Sequence, residues 1–577
     1  MSIFDIFKKR KKIYRPWAKY YNDEQLNIKI PNLTMYDQVI LARDNYPDGI
    51  AYEYFGKSFT YKRLVRQVER CYKSFKKMGI TKGDIVTLCL PNVPNVLIAL
   101  YALNKIGAVA NMLHPLSAEE EIKDSLTSTK SRAIVVLDQV YNNAHNVIES
   151  TDVEKIIIVS AADYMPLAMK TGYKTIQLKN FKIIKKTVDR CKWFNFLWSS
   201  LFYKDRPSNK KIGKNTSAVI LHSGGTSGKP KNVVLSNRSF VLMTEQGNIV
   251  LKDLNVGDKS LAVMPNFHGF GLAVTMHCQL VRGITTILVP QFDAKKFDTL
   301  INKTRPAFVV GVPTLFEALI TSNNEKDLDL SFVKYFVSGG DKLSKNLEDR
   351  VNEYLHKHNS DAIITQGYGL SEALAAVTLG SNIANKSGSV GIPLPGNIVK
   401  IIDPGTRDTL PYGEIGEICI HTKALMTGYL NNESETNDAL QIHKDGYVWL
   451  HTGDLGRMDE DGFLFIEGRS KRMIISSGYN VYPAHIEEII ESHPAVLQCS
   501  VVGVPHPYKQ EVPKAFIVLR EGFHGLFVKQ EIKNYCKKNL AKYMVPHDFV
   551  FRKQLPKTKL GKVDFRKLQE DNDEDDD

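Results

Sequence analysis

Residues 223–231 read Ser223-Gly224-Gly225-Thr226-Ser227-Gly228-Lys229-Pro230-Lys231. Three glycines let backbone N–H groups approach an anion closely, three hydroxyls add donors and two lysines add charge. The combination suits nucleotide phosphates. It is not the helix-borne phosphate loop, because Lys229 is followed by Pro230 and an apolar run, and no helix N-terminus is offered. Taken alone, the segment has a lesser alternative as a flexible surface hairpin. Downstream, Gly367-Tyr368-Gly369-Leu370-Ser371-Glu372 offers an aromatic face, a hydroxyl and a carboxylate. Those are the parts for stacking a base, touching a phosphate and holding Mg²⁺. His451-Thr452-Gly453-Asp454 places a carboxylate at a tight turn, suited to a ribose diol. Gly468-Arg469-Ser470-Lys471 and Pro556-Lys557-Thr558-Lys559-Leu560-Gly561-Lys562 add cations. Singly, each is also a turn with a solvated charge.

The elements that position these groups alternate. Apolar runs of strand character cover Ile85–Leu90, Ala133–Leu137, Ile156–Val159, Thr285–Val289, Ala307–Val310, Tyr335–Val337 and Ala362–Thr365. Helix-period stretches such as Val96–Ile106, Phe297–Lys303, Leu315–Ile320 and Leu347–His356 lie between several of them. Strand–helix alternation predicts mostly parallel sheets covered on both faces. Short strands bracket the phosphate loop at Ala218–Leu221 and Val233–Leu235, and Gly367 follows a strand end, where ligands bind open α/β sheets. After Gly388 the texture becomes short strands with turn signals, as in a distorted β-subdomain. Beyond residue 470, a helix over Pro483–Ser492, strands at Cys499–Val502 and Ala515–Leu519 and a helix near Glu531–Leu540 predict a compact α+β module. The expected organisation is a basic segment (1–34), a large α/β domain (35–469) with its β-subdomain at about 388–469, a small mobile domain (470–568) and an acidic tail (569–577).

A chain of 577 residues is too long for one core, and 43% hydrophobic with 24% charged residues is an ordinary soluble balance. Wholesale disorder, a fibre and a multi-span membrane protein are excluded. Seven scattered cysteines without a CxxC pair predict neither a disulfide framework nor a zinc site and fit a reducing cytoplasm. Net charge is +13, and the last eight residues carry seven acids, so the rest of the chain stands at +20. No zinc finger, RNP motif or basic heptad array accompanies that charge, so nucleic acid is not expected as a partner. Two segments bear on membranes: Ile3, Phe4, Ile6 and Phe7 before a basic run at 8–12, and Trp193–Tyr203 (WFNFLWSSLFY). Both are far too short to span, and each reads as a peripheral interfacial patch or, equally, as a core helix and a solvated basic start.

In their order and spacing the five motifs resemble the adenylate-forming superfamily, which comprises acyl-CoA synthetases, luciferases and adenylation domains of nonribosomal peptide synthetases. The resemblance runs from about residue 35 to 568. It implies that Ser223, Gly224, Gly225, Thr226, Ser227, Gly228, Lys229 and Lys231 hold the β- and γ-phosphates of ATP. Tyr368 would stack on adenine, with Gly339, Gly340 and Asp341 in the same pocket. Glu372, with Thr226, would hold Mg²⁺, and Ser371 would contact the α-phosphate. Asp454 would accept from the ribose hydroxyls beside Arg469, and Lys562 would reach the α-phosphate and the substrate carboxylate. Lys471 matches the hinge about which the small domain rotates between half-reactions, and Gly478 and Tyr479 would pass near CoA. No side-chain nucleophile is needed, because the activated intermediate is the acyl-adenylate itself.

His268, within Pro265-Asn266-Phe267-His268-Gly269-Phe270-Gly271, stands where amino-acid adenylation domains usually carry Asp, so an amino-acid substrate is disfavoured. The resemblance makes His268 a gate near the reacting carboxyl; a buried, backbone-satisfied histidine is the alternative. Phe270, Gly271 and Val312 belong to apolar runs fit for a hydrocarbon tunnel, and equally for core packing. The expectation is a medium- to long-chain fatty acid activated with ATP and Mg²⁺ and passed to CoA. Loading of a fatty or aryl acid onto a carrier protein, or a non-catalytic binding role, remains the alternative. Oligomeric state is not legible.

Overall fold

The strand leading into the phosphate loop extends over Ser217–Ser223 and pairs antiparallel with Lys231–Ser236, so the loop joins two strands of one sheet. The computed structural model describes residues 13–177, 189–204, 211–223, 230–322, 327–469, 472–476, 479–506, 510–523, 525–558 and 562–570. Loop residues 224–229, Lys471, Gly478, the first twelve residues and 571–577 therefore lie outside the described residues. So do Phe4 and Phe7.

The loop strands belong to an eight-stranded sheet whose other half is parallel: Val109–Met112, Ile85–Cys89, Ala133–Leu137, Lys155–Val159 and Asp189–Lys192 follow in spatial order after Ser217–Ser223. Ala133–Leu137 is buried at every position, as a strand covered on both faces must be. The helix Pro94–Ile106 starts on proline, ends on Gly107 at φ +79° and is buried around nearly its whole circumference. Proline presets the first turn, and glycine takes the left-handed cap without penalty.

A second, nine-stranded sheet carries the other motifs. Its central strands Thr285–Leu288, Lys259–Ala262, Phe308–Gly311, Tyr335–Gly339 and Ile364–Tyr368 run parallel, and antiparallel pairs close both edges. Gly339 and Tyr368 thus end two neighbouring strands on the same side. The third sheet is antiparallel: Ile398–Ile402, Gly416–His421, Val448–Met458 and Leu440–Ile442, with Leu464–Arg469 beside the long strand. Trp17 is fully buried and Tyr21 nearly so, both in the apolar cluster that includes this sheet.

The small domain is a five-stranded sheet built on the pair Val496–His506 and Gln510–Leu519, with helices Pro483–Glu491 and Gly525–Asn539 packed together. Among the described residues, no apolar cluster crosses between the two bodies. Polar contacts do: Lys342 Nζ lies 2.9 Å from Glu488 Oε2, and Arg520 donates to Asn346 Oδ1 at 3.2 Å.

The strands and helices expected from periodicity form within a few residues of their reading. The segment Phe270–His277 was not foreseen: it is a π-helical turn wedged against the loop at 373–376. Glycine makes this possible, since a Cβ on Gly269 would sit 1.8 Å from the Leu374 carbonyl oxygen and one on Gly271 2.1 Å from that of Pro265.

Candidate active site

A cavity of about 800 Å³ opens at the C-terminal ends of the central strands, between the two large sheets and the small domain. Ser223, Lys231, His268, Phe270, Val312, Gly339, Gly340, Tyr368, Ser371, Glu372, Arg469 and Lys562 all line it. Those groups come from both sheets, the β-subdomain and the small domain.

At one side, Tyr368 OH donates to Asp454 Oδ2 at 2.6 Å, and Arg469 Nε lies 3.0 Å from Asp454 Oδ1. Asp454 is buried behind these two residues rather than in the lining itself. Burial and the adjacent carboxylate hold the Tyr368 hydroxyl well above its ordinary pKa, so it stays a donor. Gly340 takes φ +81°, which turns the chain from the strand end into the pocket wall. Asp341, one residue on, is outside the lining and faces Lys562 and the small domain; desolvation raises its carboxyl, with Lys562 opposing.

Glu372 sits on a short 3-10 turn, Ser371–Ala373, and its Oε1 accepts from Tyr429 OH at 2.9 Å. The second carboxylate oxygen remains for a hard cation, which takes oxygen ligands. Lys231 pairs with Glu435 at 2.7 Å and lies over the Tyr429 ring, so Lys231, Tyr429 and Glu372 form one connected face. Thr226, the other expected cation ligand, is outside the described residues.

His268 follows the buried Asn266, which ties the loop down by donating to Leu90 O at 2.9 Å. The imidazole is pushed down to about 4, by burial first and then by the Lys562 charge, and is neutral at pH 7. Its Nε2 is buried without a hydrogen-bond partner, and the side chain lines the cavity. Burial likewise pulls the Lys562 ammonium below lysine's ordinary value, partly countered by Asp341.

Gly271 does not line the cavity; it packs on Met264 and Pro265. The backbone of Tyr479 pairs with Ser476 in the small domain's sheet. Several lining residues escaped the sequence. Met243, Gly247 and Val250 come from the helix Asn237–Val250 and fall three and four residues apart on one face. With Val274, Cys278, Phe308, Val337 and Leu379 they give the cavity an apolar limb. The one available signal was Gly247, a helix-interior glycine, whose Cβ would lie 2.6 Å from Cys278 Sγ. His222 also lines the pocket, its Nε2–H donating to Asn111 Oδ1 at 2.8 Å.

Residues 41–430 match the AMP-binding enzyme family, and residues 485–562 match the AMP-binding enzyme C-terminal domain. The chain belongs to this family. It is an adenylate-forming protein of the acyl-CoA synthetase type, as the motifs implied. A long-chain-fatty-acid–CoA ligase of Bacillus subtilis is 32% identical over 97% of this chain and 98% of its own length. A probable 4-coumarate–CoA ligase of Dictyostelium discoideum is 31% identical over 93% of both chains. The crystal structure of an anthranilate CoA ligase in complex with anthranoyl-AMP superposes with a TM-score of 0.80 at 21% identity, covering 94% of this chain and 98% of that one.

Proposed function

We propose that the chain activates a medium- to long-chain fatty acid as acyl-AMP and then transfers the acyl group to CoA. A carboxylate oxygen attacks the α-phosphorus of ATP and pyrophosphate leaves; the CoA thiol then attacks the acyl carbon and AMP leaves. The supporting observation is the apolar limb bounded by Met243, Gly247, Val250, Val274 and Cys278, continuous with the polar compartment. Each methylene buried there contributes about 0.8 kcal/mol. Similarity to the Bacillus subtilis ligase supports the same substrate class.

The work falls to charge neutralisation, since a carboxylate approaches a polyanion. Lys562 and the loop 223–231 offset phosphate charge, Tyr368 and Gly339–Gly340 hold the base, and Asp454 takes the ribose. His268, neutral and unpartnered at Nε2, donates to the reacting carboxylate and closes the limb. Glu372, with Thr226, would hold Mg²⁺, an ion that would supply further neutralisation of phosphate charge. Lys471 is the hinge, and Gly478 and Tyr479 border the CoA path once the small domain has rotated.

The face formed by Phe194, Trp198, Leu201 and Phe202, all exposed, is proposed to touch anionic membrane surfaces peripherally. No helix among the described residues is long and apolar enough to cross a membrane.

AMP release against a ladder of carboxylic acids, with and without CoA, tests the reading. AMP and acyl-CoA peaking together at one fatty chain length is the expected result. A requirement for a carrier protein, or a preference for aryl acids as the names of some relatives suggest, would replace it. No turnover on any acid would leave a binding role.

A further inference from the structure

Strand pairing in the third sheet assembles a side-chain cluster that linear spacing conceals. Cys419 lies directly across from His451 on the neighbouring antiparallel strand, and His443 follows the short strand that borders the other edge. One ligand atom from each of the three lies within 4.8 Å of the others. Cys419 is fully buried and His443 is 5% exposed. The two imidazole Nε2 atoms face each other at 2.9 Å. His451 Nδ1 is 3.1 Å from Glu417 Oε2, a contact that keeps the proton on Nδ1 and the lone pair on Nε2. His443 Nδ1 is buried with no partner.

We infer that Cys419, His443 and His451 form a binding site for a divalent cation of the zinc class. One thiolate and two imidazoles are the borderline-soft donors such an ion takes, and three protein ligands leave a fourth position for water. Zn–N bonds of 2.0–2.1 Å in tetrahedral geometry separate ligand nitrogens by about 3.3 Å, so the imidazoles need part by only a few tenths of an ångström. The Glu417 carboxylate behind His451 is the outer-shell partner that orients a ligating imidazole and raises its basicity. Binding breaks the Cys419 S–H bond, forms a metal–sulfur bond and releases the proton to solvent. The neighbouring Lys400 ammonium is already countered by Asp445 at 3.0 Å.

The site abuts the nucleotide pocket and shares His451 and Glu417 with its lining. His451 opens the turn that ends on Asp454, and the other oxygen of Glu417 accepts from Gly453 N at 3.1 Å. Cys419 and His443 are outside the pocket lining.

Equilibrium dialysis of the full, chelator-stripped chain against Zn²⁺, and a spectroscopic titration with Co²⁺, test the inference. One cation per chain is expected, with a thiolate-to-cobalt charge-transfer band. Cys419→Ser removes the band, and Cys419→Ser and His443→Asn each weaken Zn²⁺ binding about tenfold or more. Unchanged circular dichroism melts show that both variants fold. No zinc bound above background in the parent, or binding that survives both substitutions, overturns the site. The assay needs neither ATP nor acid, so its failure is independent of the proposed ligase reaction.

Discussion

The Asp454 carboxylate is held from two directions, by Tyr368 OH and by Arg469. A ribose diol entering there exchanges with existing contacts instead of meeting a free anion, which favours a ligand that also gains from the base and phosphates. Lys562 is the group whose role divides the two half-reactions. Lys562→Ala is expected to slow adenylate formation by orders of magnitude while leaving thioester formation from supplied acyl-AMP largely intact; equal loss in both, measured separately, would sink the assignment. The buried imidazoles make a second, thermodynamic prediction. His222 and His268 are both pushed to about 4 from an ordinary 6.5. Between those values the unfolded chain binds protons that the folded chain refuses, so stability falls as pH drops from about 6.5 towards 4. Thermal unfolding across that window should show a shallower acid slope in His222→Gln than in the parent. At this scale the sequence was most informative, because phosphate, ribose and base binding each demand particular residue types at short spacing. The His222–Asn111 contact was invisible, since its partners lie on separate strands far apart in the chain.

Elements supply the walls of the acyl limb, and walls carry no chemical signature. The helix Asn237–Val250 presents Met243, Gly247 and Val250 to the cavity, yet the same residues would serve any core. Likewise the π-helical turn at 270–277 arises from contacts of Gly269 and Gly271 with loops remote or bent in the chain, which periodicity does not register. Strands and covering helices, by contrast, were readable because buried parallel strands are continuous apolar runs and their helices keep a 3.6-residue period. Val274 sits on that turn and lines the limb. Val274→Phe should shorten the space by two or three methylenes, costing the longest accepted acid about 2 kcal/mol, or roughly 30-fold in kcat/KM. Shorter acids should be spared. A chain-length profile that keeps its optimum would place the acyl group elsewhere.

At the scale of the whole molecule, the Trp-rich segment divides its labour. Trp193, Phe196 and Leu197 are core, whereas Trp198 is 62% and Phe202 63% exposed, with Lys77 over the Phe202 ring and Lys170 over Phe194. The core reading therefore holds for part of that segment, and the exposed remainder is the part proposed to touch membranes. Aromatic side chains ringed by lysines suit an anionic interface. Paired Trp198→Ser and Phe202→Ser substitutions should weaken co-sedimentation with anionic vesicles, and a parent protein that never sediments with them would end the idea. The junction between the two bodies has a different consequence. With no shared apolar cluster among the described residues and half-exposed polar contacts each worth about 1 kcal/mol or less, the bodies have little reason to melt together. Differential scanning calorimetry of the unliganded protein should resolve two endotherms. A nucleotide gripped from both sides, by the large domain and by Lys562, would then act as mortar and draw the two into one.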